Sequence, residues 1–281
     1  MSEFFEVLWN QPFMQHAFLT GILASLACGV IGSYVVVKRI VFISGGISHS
    51  VLAGMGLACY LGYPPLPGAV LFALFSALLI GIISLRTRQR EDTIIGAVWA
   101  VGMAAGLIFI SLTPGYNADL MSYLFGNILM VSREDLLIIS ALDLLIFLLV
   151  FLFHKQFLAV CFDEEYARLQ GVRVDAVYLL LLCLIALTIV VLIQVTGIIL
   201  VLALLTLPAA SASHYARSLL PMMIIATGVG MVCTSAGLFL SYEPNLPTGA
   251  AIVMTAGVIY LISTVVHALW LFRQRRQHSR A

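Results

Sequence analysis

Apolar runs of about 20 residues recur along the chain between clusters of charge, and they restrict its fold more than any other feature. A helix of roughly this length crosses a bilayer core of about 30 Å. Of the 281 residues, 62% are hydrophobic and 10% charged, against about 45–50% and about 25% in soluble domains. The pattern predicts an all-α polytopic bundle of transmembrane helices, forming a single domain over residues 1–281.

Polar breaks and turn residues divide the chain into about nine predicted spans. They cover residues 14–37, 46–62, 66–85, 93–112, 134–153, 175–194, 197–213, 220–241 and 249–272. The seventh is the least regular, because Pro208 removes a backbone hydrogen bond and bends or breaks a helix.

Basic residues indicate the orientation, because Lys and Arg in short loops favour the cytoplasmic side. If Lys38 and Arg39 are cytoplasmic and the spans alternate, 13 of the 14 basic residues fall inside and only Arg133 falls outside. We therefore predict the N-terminus outside and the C-terminus inside, which requires an odd number of spans. The net charge of +1 and the absence of a basic stripe argue against nucleic acid as a partner.

The longest predicted cytoplasmic loop contains a short helix near residues 162–171. Acidic residues at 163–165 suit the first turn of a helix, and Gly171 suits its end. An apolar stripe at helical spacing runs along it, formed by Phe162, Tyr166 and Leu169. Either a cytoplasmic partner contacts this helix or the helix lies on the lipid surface.

His49 lies in the second span, about ten residues beyond Arg39, which at 1.5 Å per residue places it roughly 15 Å into the membrane. A histidine inside a span usually faces the bundle interior, a cavity or a partner. Because neutral imidazole is a common ligand for divalent metals, His49 either contacts a metal ion or packs as a hydrogen-bonded histidine.

An ion at that depth needs more than one imidazole to replace its lost water. Asp143, the one acid deep in an apolar run, could add a carboxylate from the fifth span, or it could cap or line a pore. Glu243 and Asn245 could add oxygen ligands from the last outer loop. We therefore predict a metal path with His49, Asp143, Glu243 and Asn245 as candidate ligands, and no resident cofactor.

Six stretches, in order along nearly the whole chain, carry a family resemblance. They are residues 12–17 (PFMQHA), Lys38-Arg39 with residues 45–50 (GGISHS), 119–126 (DLMSYLFG), 162–171, 205–212 (LTLPAASA) and 246–253 (LPTGAAIV). Together they resemble the membrane permeases of bacterial ABC importers for zinc, manganese and related metals, the ABC-3 family. The resemblance implies a multi-pass protein of the bacterial cytoplasmic membrane.

The resemblance also implies partners. These are two cytosolic ATPase subunits, a second copy of the chain, and an extracytoplasmic metal-binding protein that delivers the ion. The sequence contains no Gly-x-x-x-x-Gly-Lys-Ser/Thr phosphate loop of its own. In the family, the short cytoplasmic helix couples ATP hydrolysis to the membrane spans. Glu165, Ala167 and Gly171 are similar to the Glu-Ala-Ala…Gly signature of that helix, which implies the coupling role for them.

One position departs from the family pattern. Many relatives carry Asp where Gly46 stands, and this Asp and the His three residues later resemble the family's transient metal site. His49 is present here, but the carboxylate is missing. Because manganese prefers oxygen-rich sites, the loss tilts the expected cargo slightly towards zinc.

Two other functions are compatible with the sequence. A secondary transporter driven by a proton or sodium gradient would use Asp143 and His49 as relay groups. A rhomboid-like intramembrane serine protease would use Ser48 of Gly46-Ile-Ser48, although no glycine follows this serine. Co-purification of an ATPase would favour the importer over both.

Overall fold

Helices make up almost all of the chain that the structure describes, and no strand occurs in this part. The computed structural model describes residues 2–86, 91–113, 126–242, 244 and 246–278. The helices are α1 (Ser2–Asn10), α2 (Pro12–Lys38), α3 (Val41–Tyr60), α4 (Pro65–Arg86), α5 (Glu91–Leu112), α6 (Arg133–Phe162), α7 (Glu164–Leu169), α8 (Val174–Ser213), α9 (Leu219–Tyr242) and α10 (Thr248–His278), with a 3₁₀ turn at Ile128–Met130.

Eight helices in the described ranges are long and apolar enough to cross a membrane, which confirms the predicted bundle. Each overlaps one predicted span. The remaining predicted span, residues 197–213, corresponds to the shorter helix Val201–Ser213 in the second half of α8. At 1.5 Å per residue this helix is about 20 Å long, so it is too short to cross a core of about 30 Å by itself.

The break in α8 lies at Gly197 and not at Pro208. Gly197 has φ 72° and ψ 171°, a backbone conformation that residues with a Cβ rarely adopt, and it divides α8 into two helices. Pro208 stays inside the second of them. The irregularity that the sequence placed at the proline is therefore made by the glycine.

The ends of α2 and α6 define one side of the bundle. Lys38, at the end of α2, donates a hydrogen bond to the carbonyl of Val160 near the end of α6 (2.8 Å). α7 follows directly, and Arg168 of α7 binds Asp175 in the first turn of α8 (2.6 Å). We call this the loop-helix side, and α8 begins on it.

α8 also ends on the loop-helix side. α9 runs antiparallel to α2, since Gly21 lies beside Thr234 and Gly29 beside Thr227. α9 therefore begins where α2 ends, a few residues after α8. The chain thus runs away from the loop-helix side in the first half of α8, and the segment from Gly197 to Ser213 brings it back to that side. Pro12 and the end of α10 lie on opposite sides, as an odd number of passes requires.

The positive-inside rule predicts that the loop-helix side is cytoplasmic. In a cysteine-free background, we expect an impermeant maleimide to label Tyr63→Cys in intact cells and Leu169→Cys only after permeabilisation. Both positions are exposed, at 67% and 85%, and lie on opposite sides. Labelling of both after permeabilisation is the control. Labelling of Leu169→Cys but not Tyr63→Cys in intact cells would reverse the orientation.

Candidate functional site

His49 lies near the middle of α3, the most enclosed of the candidate spans. Its ring stacks on the indole of Trp99 in α5, with centroids 4.2 Å apart and planes inclined by 8°. His49 is buried, and its Nδ1 has no hydrogen-bond partner in the described part of the chain. Burial of an unpartnered ring nitrogen is costly, so this histidine is held by stacking and not by hydrogen bonds at Nδ1.

Stacking leaves the metal-binding capacity of the imidazole intact. A metal ion binds an imidazole through a ring-nitrogen lone pair, which lies in the plane of the ring, whereas Trp99 covers only one face of it. Trp99 is itself held in place, because its Nε1 donates a hydrogen bond to the sulfur of Met103 (3.1 Å). Trp99 therefore orients His49 without competing for its nitrogens. Trp99 is not among the residues that the sequence predicts for the site.

The position of the missing carboxylate is closed by an isoleucine. A Cβ on Gly46 would lie 2.5 Å from Cγ2 of Ile95, which is buried against α3. An aspartate at position 46 therefore requires Ile95 to move. Among the described residues, no group of three or more His, Cys, Asp or Glu side chains is placed to hold a metal ion. The imidazole of His49 therefore stands apart from any cluster of metal-binding side chains in the described part of the chain.

The serines around His49 direct their hydroxyl protons into the helices. Ser44 and Ser48 donate to carbonyls of α3, and Ser50 donates to a carbonyl of α3 or to the hydroxyl of Ser76 in α4. Their oxygens keep lone pairs for a cation, but none of these serines offers a charge.

Asp143 occupies a different place from His49. It is 2% exposed in α6, and neither carboxylate oxygen has a hydrogen-bond partner in the described chain. α6 packs against α2 and α8, whereas α3 packs mainly against α4, α5 and α8. The structure therefore does not bring Asp143 and His49 together. Glu243 and Asn245 lie outside the described residues.

The helix α7 carries exposed apolar side chains. Asp163 caps it by accepting a hydrogen bond from the backbone N–H of Tyr166 (2.9 Å), and Gly171 follows it with φ 79°. Ala167 is fully buried, whereas Glu165 is exposed. The predicted apolar stripe of Phe162, Tyr166 and Leu169 is exposed along its whole length. Contiguous exposed apolar side chains of this kind mark an interaction surface.

α7 also contacts the membrane helices through an ion pair. Besides its bond to Val160, Lys38 forms an ion pair with Glu164 in the first turn of α7. A cavity of about 730 Å³ opens beside this pair at the loop-helix side. The first turn of α7 is thus joined to the end of α2, three residues before α3 begins.

Comparisons with known proteins agree with this architecture. Residues 10–267 match the family model described as ABC 3 transport family. The chain is 43% identical to a probable metal transport system membrane protein of Chlamydia trachomatis, over 91% of this chain and 89% of that one. It is 35% identical to the manganese transport system membrane protein MntC of Listeria monocytogenes, over 92% of each.

The fold also matches a solved structure. PsaBC from Streptococcus pneumoniae, in complex with a Fab, contains a chain that superposes with a TM-score of 0.85 at 35% identity. The match covers 93% of this chain and 94% of that one. The relatives, the membrane-spanning helices and the family match of this chain lead to one conclusion: the chain is a multi-pass membrane protein of the bacterial ABC 3 transport family.

Proposed function

We propose that the chain is the permease subunit of an ATP-driven importer and that its cargo is a divalent transition metal ion, manganese or zinc. Family membership supports the permease role. The observation that supports the cargo is His49, a buried imidazole in the middle of a membrane helix with an unpartnered nitrogen. A group of this kind is rare inside a membrane unless it serves transport.

The names of the relatives favour manganese, although the missing carboxylate at Gly46 tilts the expectation towards zinc. The relative from Listeria monocytogenes is named for manganese, and so are two others at 33% and 34% identity. One imidazole, serine oxygens and retained water can hold a manganese ion briefly. Incomplete coordination suits a permease, because the ion must leave as well as enter. We therefore infer that manganese is the principal cargo.

His49 is the proposed ligand in transit, at a depth where an ion has lost most of its water. Asp143 is a second candidate, on a separate part of the path, since its carboxylate is buried and unpartnered but lies away from His49. Glu243 and Asn245 are candidates for the outer end of the path. None of the four forms a permanent site, because a tightly bound ion would stop transport.

The exposed stripe on α7 is the proposed docking surface for a separate cytosolic ATPase. Glu165 lies beside the stripe, Ala167 anchors the helix in the bundle, and Gly171 ends the following turn. The importer would contain two copies of this chain, an ATPase pair that hydrolyses ATP, and an extracytoplasmic protein that delivers the ion. A helix lying on lipid would need no such partner.

The test is manganese uptake in metal-poor medium, by cells with and without this chain. We expect accumulation to depend on the chain and to be lost in Leu169→Asp, which places a charge on the docking surface. The matched control is Leu61→Asp, also on an exposed leucine but on the opposite side. Full uptake by Leu169→Asp, with no ATPase subunit co-purifying, would favour the gradient-driven transporter. Selective zinc uptake would correct the cargo alone.

A further inference from the structure

A second cavity, of about 440 Å³, opens on the loop-helix side between the end of α8 and the second half of α10. His214, Arg217 and His267 line it together with Tyr215 and Trp270. No residue of α3, the helix that carries His49, lines it. The metal path described above makes no use of it.

The two histidines form a fixed pair. Their rings stack with centroids 5.0 Å apart and planes inclined by 10°. Nδ1 of His214 is hydrogen-bonded to the hydroxyl of Ser263 (3.2 Å), and the hydroxyl of Tyr215 donates to the carbonyl of the same serine (3.2 Å). Ser263 therefore fixes the positions of His214 and Tyr215 in the cavity wall. Burial and the neighbouring His267 lower the pKa of His214, and an anion beside the pair would favour the protonated form of this imidazole.

Arg217 is among the residues that line the cavity, and no acid lines it in the described part of the chain. Between residue 176 and the C-terminus, Glu243 is the only acid in the sequence. The same stretch contains five arginines: Arg217, Arg273, Arg275, Arg276 and Arg280. Arg217 is exposed, and the ion pairs of the described chain do not include it. The guanidinium group is suited to binding a phosphate through two hydrogen bonds.

The exposed surface of α10 next to the cavity is apolar. An exposed face of α10 leads away from it, formed by Leu261, Ile262, Val265, Val266 and Leu269, each more than half exposed. Trp270 and Tyr215, at the cavity itself, are residues typical of the boundary between lipid and water. A cationic mouth joined to an apolar face matches a molecule with an anionic head and hydrocarbon chains.

We propose that this cavity binds the phosphate headgroup of an anionic phospholipid, with the acyl chains along α10. The geometry favours a lipid, because a lipid can place its headgroup in the cavity and its acyl chains along the adjoining apolar face of α10, whereas a soluble phosphate would contact the cavity alone. Basic pockets between membrane helices on the cytoplasmic side are suited to anionic headgroups. The proposal is independent of the metal cargo.

The test uses the full-length protein in detergent and native mass spectrometry. Bound phosphatidylglycerol is compared with phosphatidylcholine of the same acyl chains, and with glycerol 3-phosphate. We expect preferential binding of phosphatidylglycerol, and Arg217→Gln to lower its affinity about fivefold, the factor for one basic residue at an anionic surface. Arg217→Lys should retain most of the preference. The matched control is Arg133→Gln, an exposed arginine on the opposite side, which should change nothing.

A second measurement locates the lipid. Phosphatidylglycerol with brominated acyl chains should quench tryptophan fluorescence in the wild type and much less in Trp270→Phe. Unchanged phosphatidylglycerol binding by Arg217→Gln would overturn the proposal. Equal competition by glycerol 3-phosphate would replace the lipid by a soluble phosphate. Protection of the α10 face by a second copy of the chain, without bound lipid, would also contradict it.

Discussion

Replacing His49 by alanine is expected to reduce manganese accumulation to the level of cells that lack the chain. His49 is the only His, Asp, Glu, Lys or Arg in α3, and an ion at that depth has few other groups to replace its water. An uncompensated ion in a buried site costs several kcal/mol, and each 1.4 kcal/mol is about a tenfold change in rate. We therefore expect uptake to fall more than about a hundredfold, measured as initial rates of manganese entry.

A shape-matched variant separates chemistry from packing. Alanine leaves a gap beside Trp99, whereas His49→Phe keeps an aromatic ring stacked on the indole and removes both nitrogens. We expect His49→Phe to be expressed and to bind the ATPase normally, yet to transport no better than alanine. His16→Ala, in the first membrane helix, controls for the loss of a histidine elsewhere and should transport normally. Normal uptake by His49→Phe would assign the histidine to packing alone, and Asp143 would be tested next.

The membrane helices could be predicted from the sequence because the bilayer imposes one length on all of them. Nine apolar runs correspond to helices, with ends that differ by a few residues in most cases. The break in α8 was harder to place. Pro208 has an intrinsic helix-breaking tendency, but a helix can lose one backbone hydrogen bond and continue. Gly197 reverses the chain through a backbone conformation that the sequence permits without requiring it.

The candidate site was only partly predictable, because contacts between helices depend on how the helices pack. His49 and Asp143 could be named as candidate site residues, because an ionisable side chain in a membrane span is costly and usually serves a function. Their neighbours could not, because Trp99 and Ile95 reach His49 and Gly46 from another helix, and such contacts depend on helix packing. The same packing separates Asp143 from His49, although both lie in apolar runs.

The junction between α2 and α3 connects α7 to the helix that carries His49. Lys38 is 15% exposed and contacts both α6, through the Val160 carbonyl, and α7, through Glu164. Arg39 then turns the chain with φ 61°, and α3 begins at Val41. A displacement of α7 by an ATPase would therefore reach the start of the helix that carries His49 through a single ion pair. We infer that this pair transmits the ATPase cycle to the metal path.

Reversing one charge of this pair is expected to uncouple ATP hydrolysis from transport. Lys38→Glu places two carboxylates side by side in a partly buried position, and we expect manganese uptake to fall about tenfold, equivalent to about 1.4 kcal/mol, while ATP hydrolysis continues. Combining it with Glu164→Lys restores opposite charges and should recover most of the loss, though not the bond to Val160.

The matched control is Arg168→Gln, which breaks the exposed ion pair of the same helix with Asp175. It should have little effect, because surface ion pairs contribute little. The measurement is manganese transported per ATP hydrolysed in proteoliposomes. Wild-type uptake by Lys38→Glu, or no recovery in the double variant, would show that α7 moves the membrane helices by another route.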